Sequence, residues 1–461
     1  RLEYRRLADE GSLAPLGQPW GFAKIAASLK AAEIMLFYDI GERDAYVIAI
    51  TNGKPPRCLP LHWGDGSAVD RRSAASAVSA LSREIGGAQV ITGGSADRDL
   101  SGSDLAAALV PGPLRSAVRA SERVMIVPDG ALHALAFESL YIPLETPDDT
   151  SKPRWIDRWP PVVYGASATA MLQCRAALPA STTGTGPVIV VLGNPKYAGG
   201  PPGERRGSDS EMEQLDAQFE QLRPLEGAEA EARAVAGVVA RTLQTRAQDI
   251  VTLIGPDATI GRLYAAAARP TYLHIGAHGF AVSGRLVNES ALALSSADGK
   301  SSHARLRLTD LIHTWPGRLA GTKVVTLSAC QTATGRLEGR DGVIALLWGF
   351  LSAGAETVVA TRWSVDDRAT ALLMERFYRN LLGDVATERT VRGRVVKPAE
   401  QMSRLDALYE AQLWLRSLKA EEAQVELDRL LGPKPEAAPL SGYPFARPFY
   451  WAAFELVGSP D

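Results

Sequence analysis

Cysteine is scarce in this sequence. Its 461 residues include three cysteines, Cys58, Cys174 and Cys330. So small and odd a number excludes a disulfide framework, and the absence of close pairs excludes zinc-ribbon and CxxC redox sites. Sparse, unpaired cysteines are typical of a reducing compartment, which favours a cytoplasmic protein, and they leave room for one reactive thiol.

Excess charge and long apolar runs are lacking as well. The 50 Lys and Arg residues nearly balance 52 Asp and Glu residues, for a formal net charge of -2. Balanced charge offers no footprint for polyanions, so we expect neither nucleic acid nor an anionic membrane as a partner. No apolar run reaches the roughly 18 residues that a membrane-spanning helix needs, which predicts a soluble protein.

The N-terminus has neither an initiator methionine nor a signal peptide. The first residue is Arg1 rather than methionine, and the segment that follows is polar, without the apolar core of a signal peptide. We interpret residues 1–32 as a helical leader cut from a longer chain.

Short β-branched runs alternate with helical patterns along the chain. The runs lack polar alternation, which is typical of parallel strands covered on both faces by helices. They lie at residues 124–127, 188–192, 272–275, 324–328 and 357–360. Helices are predicted at 226–243 and 366–382 from apolar residues at three- and four-residue spacing. The pattern predicts an α/β fold with a mostly parallel sheet flanked by helices.

A flexible joint divides the chain into two α/β halves. The halves are predicted over 33–180 and 187–461, and the segment STTGTG separates them. Polar segments at 199–220 and 384–400 interrupt the second half. We interpret both as solvated loops, with an activation or substrate-gating loop as the alternative. The cations of the second segment are Arg389, Arg392, Arg394 and Lys397.

Nucleotide-binding and serine-hydrolase motifs are absent. No GxxxxGK[ST] occurs, and Gly184-Thr-Gly186 precedes its strand, whereas a phosphate-binding turn follows one. The segment from Gly165 to Thr169 does not match GxSxG, which leaves a serine nucleophile unsupported. We expect neither a metal ion nor a cofactor.

A histidine and a cysteine each follow an apolar run. His278 leaves the run at 272–275 through an Ala-His-Gly corner, and Cys330 leaves the run at 324–328. Catalytic groups of open parallel sheets lie beyond the carboxyl ends of strands, so two adjacent strands would present both side chains to one crevice. Their separation of 52 residues fits one strand-crossover-strand unit and the spacing of a caspase-type His and Cys.

This pair of side chains can supply a nucleophile and its base. An imidazole beside a thiol can accept its proton and later protonate the departing amine. Gly279 lets the backbone approach a substrate carbonyl, and its N–H together with that of Cys330 is the predicted oxyanion hole. We interpret His274, Cys58 and Cys174 as structural core residues, because none has the glycine corner or a paired group.

Motifs in the expected order resemble the CHAT domain, a caspase-like family related to separase and often found with tetratricopeptide repeats. The family's histidine and nucleophile segments resemble Gly276-Ala-His278-Gly279 and Leu327-Ser-Ala-Cys330-Gln-Thr. Further landmarks are Val127-Pro-Asp-Gly130, Leu192-Gly-Asn-Pro195, Leu225-Glu-Gly-Ala-Glu-Ala-Glu231, Trp363-Ser-Val-Asp-Asp367 and Trp451-Ala-Ala-Phe454. The resemblance covers residues 29–458.

The resemblance implies roles for particular residues. His278 would be the general base and Cys330 the nucleophile of a peptidase, with an N-terminal half of the same fold that lacks the dyad. The substrate pocket would follow the next strand, where an acidic group would favour Arg or Lys in the substrate. Our candidates for it are Trp363, Ser364, Asp366, Asp367 and Asp341. Residues 364–367 also read as a capping box, a structural alternative that needs no substrate.

We therefore predict a bacterial-type, cytoplasmic cysteine endopeptidase that cleaves a specific partner protein in regulated proteolysis or defence. The resemblance implies that an upstream tetratricopeptide-repeat or sensor module switches it on. Two alternatives stay open. One is a catalytically silent caspase-like scaffold, against which the intact dyad argues. The other is a small-molecule thiol hydrolase or acyltransferase, which would need an enclosed apolar pocket.

Overall fold

The predicted strands pair into one large sheet in the computed structural model. The structure describes residues 19–85, 102–143, 152–176, 186–197, 215–216, 218–219, 221–282, 284–296, 304–328, 340–364, 366–433 and 439–461. Within these ranges, eleven strands pair in the order β3-β2-β1-β4-β5-β16-β13-β12-β8-β6-β7. The sixteen strands found there are β1 (Glu33–Ile40), β2 (Ala45–Thr51), β3 (Arg57–Pro60), β4 (Arg123–Val127), β5 (Val162–Tyr164), β6 (Ile189–Gly193), β7 (Ile250–Ile254), β8 (Tyr272–Gly276), β9 (His278–Phe280), β10 (Ala291–Ala293), β11 (Arg305–Arg307), β12 (Val324–Ser328), β13 (Thr357–Thr361), β14 (Arg389–Val391), β15 (Arg394–Val396) and β16 (Phe454–Gly458).

Most neighbours in the large sheet run parallel. The pairs β1–β4, β4–β5, β6–β7, β6–β8, β8–β12 and β12–β13 are parallel, whereas β1–β2, β2–β3 and β13–β16 are antiparallel. Strands β4, β6, β8, β12 and β13 are buried along almost their whole length, as their unbroken apolar runs require. The predicted α/β fold with a mostly parallel sheet is confirmed.

Helices cover the sheet between the strands. They are α1 (Phe22–Ser28), α2 (Arg71–Ile85), α3 (Gly102–Leu109), α4 (Gly112–Ala120), α5 (Trp155–Arg158), α6 (Ala168–Ala176), α7 (Glu226–Leu243), α8 (Ile260–Ala266), α9 (Leu308–His313), α10 (Arg340–Ser352), α11 (Asp367–Leu382), α12 (Arg404–Ser417), α13 (Ala420–Leu431) and α14 (Pro448–Trp451). No helix among the described residues is both long enough and apolar enough to span a membrane.

Both faces of β12 are covered, by different helices. Thr326 contacts Tyr378 on α11, and Ser328 contacts Glu231 on α7. Leu327, which points to the opposite face of the strand, shares a cleft with Val343 on α10. Helices α7 and α11 therefore lie on one face of β12 and α10 on the other.

The C-terminal strand joins the two parts of the sheet. Strands β1 to β5 come from residues 33–180, and the remaining strands of the large sheet come from 187–461. Strand β16 lies between β5 and β13, where it pairs with β13 along five residues and with β5 through Val457 and Tyr164. The division into an inactive and a catalytic half stays a prediction, as does the leader at 1–32, of which the structure describes residues 19–32.

Two sequence interpretations change in the structure. Cys58, expected in the core, is exposed on β3 at the edge of the sheet. Residues 384–400 hold the β14–β15 hairpin, whose cations pair with acidic groups of the same chain: Arg389 with Glu410, Arg392 with Asp406 and Arg394 with Glu400. The hairpin is therefore held to the fold by ion pairs. Most of the 199–220 segment lies outside the described residues.

Candidate active site

The ends of β8 and β12 lie side by side. The two strands pair in parallel, with Ser328 opposite Gly276. His278 begins β9 two residues after β8 ends, and the chain beyond Ser328 leads to Cys330. Cys330 itself lies outside the described residues, as does the side chain of Asp341 at the start of α10. The adjacency of the two strand ends, on which the predicted dyad depends, is present.

A backbone carbonyl orients the ring of His278. The imidazole Nε2 lies 2.9 Å from the carbonyl oxygen of Arg223, and the backbone N–H of His278 donates to the Tyr197 hydroxyl at 3.3 Å. A carbonyl oxygen only accepts hydrogen bonds, so Nε2 carries the proton and the lone pair of the neutral ring lies at Nδ1. Among the described residues Nδ1 has no hydrogen-bond partner, although it is buried.

Burial sets the charge state of this histidine. Loss of hydration lowers the pKa of His278, while the Arg223 carbonyl and the negative charge of Asp367 act in the opposite direction. A pKa below the ordinary value keeps the imidazole neutral at pH 7. The ring is therefore a base with a free lone pair rather than a preformed cation.

Aromatic contacts hold the segment that carries Arg223. The ring of Phe219 stacks on Phe280 of β9 with 3.8 Å between centroids, and Arg305 lies over Phe219 at 3.9 Å while pairing with Asp216. Tyr197 packs against the His278 ring at 5.1 Å. These contacts tie the residues before α7 to the small β9–β10–β11 sheet and so fix the carbonyl that faces Nε2.

The predicted pocket residues separate into different environments. Trp363 is buried and its indole N–H donates to the Phe449 carbonyl oxygen at 3.0 Å, whereas Ser364 is exposed. Asp366 is the N-cap of α11 and accepts from the backbone of Arg368 and Ala369. The capping box expected over 364–367 is wrong, because the helix starts at Asp367 and its cap is Asp366.

Asp367 faces the histidine region rather than capping the helix. Burial raises the pKa of its carboxyl, the charges of Glu231 and Asp366 raise it further, and the backbone N–H of Gly227 lowers it. The Asp367 side chain sits against Gly227 on α7, where a Cβ atom would lie 2.2 Å from the Cβ of Asp367. Glycine at position 227 is what permits this close approach.

An apolar cleft of about 340 Å³ adjoins the site. Gly279 and Phe280 of β9 line it together with Leu327, Val343 and Ala360. Gly279 lies opposite Leu292 in the β9–β10 pairing, so its backbone forms part of the small sheet. The cleft can take an apolar side chain close to the base.

Sequence reasoning missed several partners of the site. The Arg223 carbonyl carries no side-chain signature, but Tyr197 and Glu231 follow or belong to the recognised segments Leu192-Gly-Asn-Pro195 and Leu225 to Glu231. The family resemblance includes both segments but does not indicate what their side chains contact. Their positions beside His278 and Ser328 show what they contact.

Comparison with known proteins gives one family. Residues 99–459 match the family model described as the CHAT domain. Mouse tetratricopeptide repeat protein 28 is 42% identical over 60 residues, which are 13% of this chain and 2% of that protein.

Similar solved structures include two peptidase structures. Gingipain R, described as an Arg-specific cysteine proteinase, has a TM-score of 0.38 and 8% identity over 76% of this chain and 69% of its own. The Saccharomyces cerevisiae separase–securin complex has a TM-score of 0.45 and 8% identity, over 94% of this chain and 30% of its own.

Proposed function

The chain belongs to the CHAT domain family, and on that premise we propose that it is a cysteine endopeptidase with His278 as base and Cys330 as nucleophile. One observation carries the proposal. The Arg223 carbonyl accepts the Nε2 proton, which leaves the Nδ1 lone pair of a buried, neutral imidazole without a partner among the described residues. An unpartnered buried polar atom costs about 1–3 kcal/mol, a cost that a role in proton transfer would explain. The ring nitrogens of His274 also lack hydrogen bonds within the part of the chain that the structure describes, but His274 lies within β8, whereas His278 lies beyond the strand end, beside the exit of β12.

The proposed reaction needs only these two side chains and water. Nδ1 of His278 takes the thiol proton of Cys330, and the thiolate attacks the substrate carbonyl carbon. The resulting imidazolium protonates the departing amine, which leaves a thioester on Cys330. Water, deprotonated by the same Nδ1, then hydrolyses the thioester and restores the thiol. Backbone N–H groups of Gly279 and Cys330 are proposed to bind the developing oxyanion.

The substrate is proposed to be a peptide segment of a specific partner protein. The apolar cleft beside Gly279 supports an extended chain with an apolar side chain next to the scissile bond. The proposed pocket residues are Trp363, Ser364, Asp366, Asp367 and Asp341, of which Ser364 is exposed.

Regulation belongs to the same proposal. The CHAT resemblance implies control by a tetratricopeptide-repeat or sensor module, and the short match to a mouse tetratricopeptide-repeat protein is in keeping with it. A cytoplasmic location and a role in bacterial regulated proteolysis or defence rest on the resemblance.

Cleavage of a peptide library tests the dyad. Denatured proteome fragments are incubated with the protein, and new N-termini are identified by labelling and mass spectrometry. We expect cleavage by the wild type, a loss of at least about a thousandfold in Cys330→Ala and about a hundredfold or more in His278→Ala. The matched control is Cys58→Ser, which removes the exposed thiol of β3 and keeps full activity.

Two outcomes contradict the peptidase. Cleavage above background that survives in both dyad variants assigns the activity to other residues. If the wild type yields no more new N-termini than Cys330→Ala, even with the proposed repeat or sensor module supplied, the silent scaffold is favoured instead.

A further inference from the structure

A buried polar cluster lies beneath the ends of β8 and β12. Its members are Glu231 on α7, His274 on β8, and Ser328 at the end of β12. Glu231 is 2% exposed and His274 is fully buried. The proposed reaction uses none of these three side chains.

One carboxylate touches both strands. The hydroxyl of Ser328 donates to Oε2 of Glu231 at 3.0 Å, and Oε1 of Glu231 lies 3.2 Å from Nε2 of His274. His274 is opposite Thr326 in the parallel register, and Ser328 is opposite Gly276. The carboxylate on α7 thus bridges two neighbouring strands diagonally: it accepts a hydrogen bond from β12 and makes a close contact with β8 that is not a hydrogen bond.

The bridge lies close in the sequence to both residues of the proposed dyad. Cys330 is two residues beyond Ser328, and His278 is four residues beyond His274. A strand that ends is free to leave the sheet in several directions, and a hydrogen bond at its last residue limits those directions. An apolar residue at position 231 would cover the strands equally well. It would also avoid the free-energy cost of burying a carboxylate, so the stability of the fold does not by itself explain a glutamate at this position.

We propose that Glu231 is a positioning residue for the nucleophile. Through its hydrogen bond with Ser328 it limits the direction in which the chain leaves β12 towards Cys330, and its close contact with His274 places that bond beside the strand that leads to His278. This inference rests on the proposed Cys-His dyad. The other groups that act on or near Glu231 come from α11, where Asp367 and Tyr378 lie.

Alkylation of Cys330 by iodoacetamide tests the inference without a substrate. Rates at pH 7 are followed for each thiol by peptide mass spectrometry, with exposed Cys58 as the internal reference. Each variant is measured alone and combined with His278→Ala. In the wild type, His278→Ala should slow alkylation of Cys330 about tenfold, the equivalent of one pK unit of thiolate stabilisation.

The positioning role predicts that this effect disappears with the bridge. In Glu231→Leu, which removes the acceptor, and in Ser328→Ala, which removes the donor, adding His278→Ala should change the rate less than about twofold. Ser328→Thr keeps the hydroxyl and should restore the tenfold effect. The control is Glu229→Gln, two residues away on α7, where the side chain pairs with Arg233 near the surface and the tenfold effect should persist.

The results separate the two hypotheses. If His278→Ala leaves the Cys330 rate unchanged in the wild type, the dyad fails and the inference fails with it. If His278→Ala slows Cys330 equally in the wild type, Glu231→Leu and Ser328→Ala, the dyad stands and the positioning role is overturned. Should Glu231→Leu fail to fold, Ser328→Ala with its threonine rescue decides alone.

Discussion

The cleft beyond β4 and β13 and the site beyond β8 and β12 differ in whether their buried ionisable side chains lie against an opposite charge. In the first region, Arg362 pairs with Glu455 at 2.7 Å and lies over the Tyr164 ring at 4.0 Å. The Tyr164 hydroxyl donates to Glu138 at 2.6 Å. These groups line or border a cleft of about 430 Å³ that includes Pro128 and His133. The charged groups in this region therefore pair with one another across the two parts of the sheet.

The second region leaves a base without a partner. His278 directs Nε2 at the Arg223 carbonyl, while its buried Nδ1 is unpartnered among the described residues. Both regions follow strands of the same sheet, so position in the sheet alone does not distinguish them. Mutual pairing of buried charges is expected to stabilise the fold, whereas an unpartnered lone pair is what the proposed proton transfer requires.

Breaking the paired region should have the largest effect on stability. Arg362→Leu leaves the buried Glu455 and Glu138 without their cation, and we expect a loss of about 3–5 kcal/mol in the free energy of unfolding. Urea denaturation followed by circular dichroism measures it. Arg394→Leu is the control, because Arg394 is exposed on the β14–β15 hairpin, its partner Glu400 is partly exposed, and the expected loss is below about 1 kcal/mol. Equal losses in both variants would remove the distinction between the two regions.

Crowding the unpaired region should have an intermediate effect. Gly227→Ala places a Cβ atom 2.2 Å from the Cβ of Asp367, so α7 and α11 must move apart, at a cost of about 1–3 kcal/mol. Proteolytic activity should fall with it. In the control, Gly237→Ala, the new Cβ meets only the Arg241 guanidinium at 3.2 Å, and the helix gains up to about 1 kcal/mol. Thermal melting that ranks the two variants the other way contradicts this packing.

Changing the charge beside His278 should have the smallest effect. The negative charge of Asp367 raises the pKa of His278, so Asp367→Asn should lower that pKa by less than about one unit. The acid limb of activity then moves to lower pH, because the neutral base persists there. An NMR titration of the imidazole checks the direction. Asp366→Asn keeps the helix cap and should leave the titration in place, and a shift to higher pH in Asp367→Asn would refute the assignment.

Local pattern predicted the secondary structure that surrounds the site. The strand runs at 124–127, 272–275 and 324–328 and the helix at 226–243 agree with β4, β8, β12 and α7 to within one residue. Buried parallel strands and amphipathic helices carry their own periodicity, so no long-range information was needed. Strand-end reasoning likewise predicted that β8 and β12 are neighbours.

Other features depend on contacts between residues far apart in the sequence, which local sequence patterns do not predict. The cap of α11 is Asp366, whose carboxylate accepts from Arg368 and Ala369, while Asp367 lies against Gly227 of the distant helix α7. Cys58 is exposed because β3 is an edge strand, and the edge is defined by the order of the whole sheet. The insertion of β16 between β5 and β13 joins residues almost 300 positions apart.

The family, the strand and helix pattern, and the choice of His278 and Cys330 as the candidate dyad can be inferred from neighbouring residues alone. Which ring nitrogen of His278 is unpartnered among the described residues, and which carboxylate contacts the end of β12, is set by the fold. Those depend on the Arg223 carbonyl, 55 residues away, and on Glu231, 97 residues from Ser328. Hydrogen-bond geometry of that kind exists only once the distant segments have packed.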